Sequence, residues 1–149
     1  MTVDWQVVLD ARSPHDLADF WAAALGYSVE QHADFVQSLL DAGALTADET
    51  TVHKGVLSFA ELAAVCHPDD VAERRHGTGS ARRLLFQKVP EGKTVKNRVH
   101  IDVNVGPDAL AAEVERLSAL GATVRAEINA QGSHFFAMSD PEGNEFDVQ

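Results

Sequence analysis

One cysteine, one tyrosine and two methionines in 149 residues leave this chain little thiol or redox chemistry. The lone Cys66 cannot close an internal disulfide, which agrees with a reducing compartment, and a small buried apolar role suits it best. Basic residues are scarce as well, 12 Lys and Arg against 23 Asp and Glu, for a formal net charge of -11. Phosphate binding calls for clustered cations, so a nucleic-acid partner is excluded, and the acidic balance favours solubility. No stretch reaches the ~18–20 apolar residues of a membrane span, and the start has no basic-then-apolar leader pattern. The expectation is a soluble cytoplasmic protein with no membrane partner. A hydrophobic content of 45% in this length is enough for one core and one domain.

What is present is most readable between Arg98 and Val105, Arg-Val-His-Ile-Asp-Val-Asn-Val, where polar and apolar side chains alternate without a break. Val99, Ile101, Val103 and Val105 share one face of a half-buried strand, and His100, Asp102 and Asn104 share the other. Gly106-Pro107 then sets up a helix over Asp108 to Leu120, with Leu110, Val114, Leu117 and Leu120 at helical spacing and Gly121 ending it. The helix covers the apolar face, so His100 and Asp102 look away from it.

The same strand–helix–strand unit occurs near the start. Gln6 to Val29 lies over His100 to Val124, with Ala24-Leu25-Gly26 matching Ala119-Leu120-Gly121; Gln6 falls in register with His100 and Asp10 with Asn104. The first strand is expected over Val3 to Asp10. Ser13 is placed to cap the helix that follows, with Pro14 in its first turn and Asp16 at the positive end of its dipole. Leu17, Phe20, Trp21, Ala24 and Leu25 make its buried stripe, which assigns Trp21 to the core rather than to a ligand platform.

After a second strand at Tyr27 to Gln31 comes a segment without counterpart in the second half, read as a helical insert over about 33–55. Phe35 to Leu45 predicts a short helix, and Thr46-Ala-Asp-Glu49 resembles a capping box. His32 and His53 are read as surface residues. A strand at Ala64 to Asp69 parallels Ala137 to Glu142, a polar loop with Arg74, Arg75 and His76 follows, and Arg83 to Val89 matches Asn144 to Gln149, laying Phe86 over Phe146 and Gln87 over Asp147. A linker over Pro90 to Asn97 joins module one, about 1–90, to module two, about 98–149. Module two then adds strands at Thr123 to Glu127, His134 to Met138 and Glu145 to Val148, with a turn at Asn129 to Gly132. The fold class is α+β: two tandem βαβββ modules forming a curled mixed eight-stranded sheet with helices outside.

Parity then sets four side chains on the faces away from the helices: Gln6, Gln87, His100 and Asp147. If the halves pair symmetrically, one imidazole, one carboxylate and two amides converge and could hold a divalent cation, although amide oxygens are weak ligands. A polar face is also what an ordinary open sheet shows to water.

The paired βαβββ layout, the opening His100-Ile-Asp-Val and the closing Asp140-Pro-Glu-Gly-Asn-Glu-Phe-Asp147 resemble the vicinal oxygen chelate superfamily, which includes glyoxalase I, extradiol dioxygenases and bleomycin-resistance proteins. The run from Arg83 to His100 is similar to a small glyoxalase-like family common in actinobacteria. The resemblance implies a small-molecule site and a divalent ion (Zn, Ni, Mn or Fe) on the first and last strands of each half. Gln6, His100 and Asp147 are the implied metal ligands, Gln87 standing where glyoxalase I has Glu; Asp147 and Glu145 are the implied proton-moving groups. Gln87, Asp102 and Phe136 would line the ligand site. The carboxylate missing at Gln87 argues against glyoxalase I activity itself and leaves a metal-dependent lyase or isomerase acting on a small oxygenated substrate. The alternative is a non-catalytic protein of the bleomycin-resistance type that sequesters a ligand. The resemblance also implies a homodimer.

Overall fold

A computed structural model describes residues 5–73 and 82–149. The beginning of the expected first strand, and Arg74, Arg75 and His76 of the expected polar loop, lie outside the described residues. Contacts divide the chain into two units, Met1–Ala22 with Gly26–Pro90 and Ala23–Leu25 with Glu91–Gln149.

In the first unit the strands β1 (Val7–Ala11), β2 (Ser28–Val29), β5 (Leu62–Cys66) and β6 (Arg83–Lys88) form a sheet in the order β1-β6-β5-β2. Helix α1 (Pro14–Leu25) joins β1 to β2. Its apolar stripe of Leu17, Phe20, Trp21 and Ala24 is buried, and Trp21 packs edge-on against Phe20 with ring centroids 5.5 Å apart. Ser13 holds the cap position without a side-chain bond into the first turn, so the proline supplies the start signal rather than the expected hydroxyl. Gly26 ends the helix at a left-handed φ of 66°, where a Cβ would be strained.

The insert between β2 and β5 is not wholly helical. After α2 (Ala33–Asp41) and a 3-10 turn (Ala47–Glu49) comes a hairpin, β3 (Thr50–His53) with β4 (Val56–Phe59). The expected capping box is present: Glu49 Oε2 accepts from the Thr46 backbone N–H at 2.8 Å and from its hydroxyl at 2.6 Å. The hairpin turns on Lys54 and Gly55, both at positive φ (49° and 82°), the backbone twist that a two-residue turn needs to match twisted strands.

The second unit repeats the plan without an insert. Strand β7 (Ile101–Val103), helix α3 (Leu110–Ala119) and strands β8 (Thr123–Ala130), β9 (Ser133–Ser139) and β10 (Glu145–Val148) give the sheet order β7-β10-β9-β8. In both units the first and last strands pair parallel and the remaining neighbours antiparallel, so each is a βαβββ module. Leu110, Val114 and Leu117 of α3 are buried, as are Val103, Met138, Phe146 and Val148 of the sheet. The apolar parity of β7 and β10 therefore faces inward, as alternation requires, and the chain is an α+β protein whose eight repeat strands form two four-stranded mixed sheets.

Candidate functional site

The parallel pairing of β7 and β10 sets Asp147 opposite Asp102, and His100 stands just before β7 on the same face. His100 Nε2 lies 3.4 Å from Asp102 Oδ1 and 3.4 Å from Asp147 Oδ2. One nitrogen and two carboxylate oxygens, all within 4.8 Å of one another, make a compact set of hard and borderline donors. Gln149 Nε2 donates to Asp102 Oδ2 at 3.2 Å and helps fix that carboxylate. Burial raises the Asp147 carboxyl above its usual range and Asp102 pushes the same way, against the opposing pull of His100 and Lys96.

The turn before β10 explains why Asp147 stands where it does. Asp140 Oδ1 accepts the backbone N–H groups of Glu142 and Asn144, each at 2.9 Å, and the Asn144 side chain takes the Asn97 amide at 3.0 Å. Asp-Pro-Glu-Gly-Asn is thus a closed turn that starts β10 in one register. Glu145 is tied into the same support. Burial alone would raise its pKa, but the Asn97 backbone N–H at 3.0 Å and the Lys93 ammonium at 3.1 Å prevail and hold it at about 2. A carboxylate so stabilised in its charged form is a poor proton acceptor, contrary to the role expected from sequence.

A cleft of about 750 Å³ opens at this face, lined by His100 and Asp147 with Lys93, Lys96, Arg125 and Phe135. Phe136 is not among its walls. The register places Phe136 opposite Val148, on the face turned away from Asp147, and Ala137 opposite Asp147, so Phe135, two residues before Ala137, shares the face of the cleft.

In the first unit the corresponding positions behave differently. Gln6 Oε1 accepts a 2.6 Å hydrogen bond from Arg83 Nη1. Arg83 also makes a two-pronged ion pair with Glu30, Nε to Oε1 at 2.9 Å and Nη2 to Oε2 at 2.8 Å, and both side chains are only 5% exposed. A guanidinium therefore occupies the coordination reach of Gln6. Gln87 is exposed and lies opposite Asp10.

Strand pairing corrects the expected overlay of the halves. With Gln87 laid on Asp147, Asp10 falls on Asp102 and Val8 on His100; with Gln6 laid on His100, Leu85 falls on Asp147. The two matches expected together differ by two residues, a slip that parity cannot detect because it keeps every side chain on its face. Under either overlay the matching positions of β1 and β6 hold no imidazole, unlike those of β7 and β10.

A second group of polar side chains had no signal in the sequence. His53 Nε2 lies 2.7 Å from Asp19 Oδ2, which also takes Lys54 Nζ at 2.8 Å, and the His53 ring stacks on His15 with centroids 5.0 Å apart. His15 Nε2 reaches the Phe59 carbonyl at 2.8 Å, fastening the hairpin to α1. His32 Nε2 is 3.2 Å from Glu30, and burial followed by the charge of Arg83 lowers its pKa. His32 and His53, expected at the surface, instead line a cavity of about 430 Å³ within the first unit.

Comparison with known proteins adds the family. No curated protein sequence matches. Among solved structures, FosX, a fosfomycin resistance protein from Mesorhizobium loti, superposes with a TM-score of 0.62 at 9% identity, over 100% of this chain and 91% of its own. A glyoxalase/bleomycin resistance/dioxygenase family enzyme from Burkholderia phytofirmans gives 0.57 at 13% identity, over 96% and 94%. FosX from Listeria monocytogenes, solved as a mutant with Mn(II) and 1S,2S-dihydroxypropylphosphonic acid, gives 0.62 at 9%, over 100% and 90%. At these identities the likeness establishes the fold. The profile of a glyoxalase-like domain matches residues 6–149, and the chain belongs to that glyoxalase-like family, within the vicinal oxygen chelate superfamily.

Proposed function

We propose that this protein is a divalent-metal-dependent enzyme, a lyase or isomerase acting on a small oxygenated substrate in the cleft of the second unit. The supporting observation is the cluster of His100, Asp102 and Asp147, whose ligand atoms lie within 4.8 Å of one another. The donor set fits a borderline divalent ion such as Zn, Ni, Mn or Fe, and the compound bound with Mn(II) to the Listeria relative bears two neighbouring hydroxyl groups. Such an ion, when bound, would polarise a carbonyl or hydroxyl oxygen of the substrate.

The chain's own residues account for the rest. Lys96 and Arg125 line the cleft and would draw in a substrate with negatively charged oxygens, despite the acidic chain around them. Glu145 stays ionised and positions Lys93 at the rim. Asp147 lines the cleft beside His100 and would accept a proton at an Oδ atom the ion leaves free. Gln6 remains engaged with Arg83 and is left out of the ligand set.

Metal content of protein purified without chelator, measured by mass spectrometry, tests the reading. About one equivalent is expected, with affinity falling on the order of 100-fold in His100→Ala and in Asp147→Asn at unchanged circular dichroism. No metal, together with no thermal shift on adding nickel, zinc, manganese or iron(II), would overturn it. Hemithioacetals, epoxides and catechols are the first substrates to try. Saturable binding without turnover would instead support sequestration.

A further inference from the structure

We propose that the first unit holds a second small-molecule site, the cavity of about 430 Å³ bounded by α2, the β3–β4 hairpin and strands β5 and β6. Its ligand is an uncharged molecule with a flat apolar body and one hydrogen-bonding oxygen. This goes beyond the metal-dependent reading and shares no residue with the cluster at His100.

Size and lining give the ligand class. The volume falls within the range of about 300–1,000 Å³ typical of small-molecule pockets, which bind an apolar body and orient it with a few polar groups. The apolar walls come from Val29, Phe35, Val56, Phe59, Ala64 and Leu85. Phe35 and Phe59 stand at 66° with centroids 6.2 Å apart, an edge-to-face arrangement against which a third ring can pack.

Charge bookkeeping gives its neutrality. Among the described residues the wall carries two permanent cations and two carboxylates, and each is matched there: the buried Arg83 with Glu30 at 2.8 Å, the exposed Lys54 with Asp19 at 2.8 Å. An anionic ligand would have to compete with Glu30 for Arg83, and a cationic one with Arg83 for Glu30. Either competition strips a partner from a buried charge, which is costly. Burial, and then the charge of Arg83, disfavour the protonated form of His32. A neutral molecule leaves the pairs intact. Among the described residues, three of the five N–H groups of Arg83 are taken by Gln6 and Glu30, so its remaining donors are suited to a carbonyl or hydroxyl oxygen.

Three probes of one shape separate these demands: 1-naphthol, 1-naphthoate and 1-naphthylmethylammonium, titrated into the full-length protein by heteronuclear NMR. The neutral probe should bind with Kd below about 1 mM and both ions about tenfold or more weakly. Its shift changes should fall on Phe35, His53, Phe59 and Ala64. Ala64→Phe, which places a ring beside Leu85, should abolish binding, while His100→Ala should not alter it. Equal affinity for all three probes, no saturable shifts, or shifts confined to the second unit would each overturn the proposal. Should Ala64→Phe fail to fold, the wild-type shift map alone decides.

Discussion

Glu30→Gln keeps the shape of a buried side chain while removing its charge, and it isolates how much the first unit depends on its internal ion pair. In the wild type two charge-assisted hydrogen bonds of 2.9 and 2.8 Å join Glu30 to Arg83, both side chains 5% exposed. Unit charges about 4 Å apart attract by about 4 kcal/mol at an effective dielectric near 20. The glutamine oxygen can still accept one bond from the guanidinium, worth about 1 kcal/mol. The expected loss is therefore about 3 kcal/mol, at the lower end of the roughly 3–5 kcal/mol for orphaning a buried charge. In a chain of this size that lowers Tm by about 6–12 °C. Urea denaturation followed by circular dichroism measures the loss directly. Pairing Glu30→Leu with Arg83→Met removes both charges and should restore stability to within about 1 kcal/mol of wild type. A loss below about 1 kcal/mol for Glu30→Gln would mean that water reaches the guanidinium, as at a surface pair, and would refute the burial argument.

Two further outcomes follow from the geometry. Glu145 has its folded-state pKa held at about 2 against an ordinary 4.5, so its contribution to stability is complete above about pH 4.5 and fades as pH falls towards 2; acid titration of Glu145→Gln should lack that component, and identical profiles would show that Lys93 and Asn97 do not hold it. Gly55→Ala forces a Cβ into the left-handed φ of 82° at the hairpin turn and should cost about 1–2 kcal/mol in chemical denaturation, whereas an unchanged midpoint would place the turn in another conformation.

Much of the second unit was legible because its signals are local. Strand β10 runs from Glu145 to Val148 as the sequence predicts, and α3 differs from expectation only at its ends. The alternation around His100 correctly puts the imidazole and Asp102 on one face, since period-2 parity follows from strand geometry alone. Parity does not fix register, which is why Gln87 and Gln6 could not both match the second unit. Phe136 was lost to the same arithmetic, one position from the cleft wall. The β3–β4 hairpin escaped notice because its strands have four residues each and its turn is Lys-Gly rather than the stronger Asn-Gly signal. The polar groups of the cavity were invisible for another reason. Glu30 and Arg83 are 53 positions apart, and Asp19 and His53 are 34, distances at which no local pattern announces a partner.

The two-residue slip also says what separates the sheet that carries the imidazole–carboxylate cluster from the one that does not. Counted by strand pairing rather than by sequence overlay, Asp10 already stands in the first unit where Asp102 stands in the second, with Val8 and Gln87 at the rungs of His100 and Asp147. For a protein engineer the scaffold is two exposed positions short of a duplicate donor set: Val8→His and Gln87→Asp would copy it by symmetry, on a surface where neither wild-type side chain is buried in the core. The repeat is thus a template with one copy filled in, and writing the other requires no change to the interior that holds it.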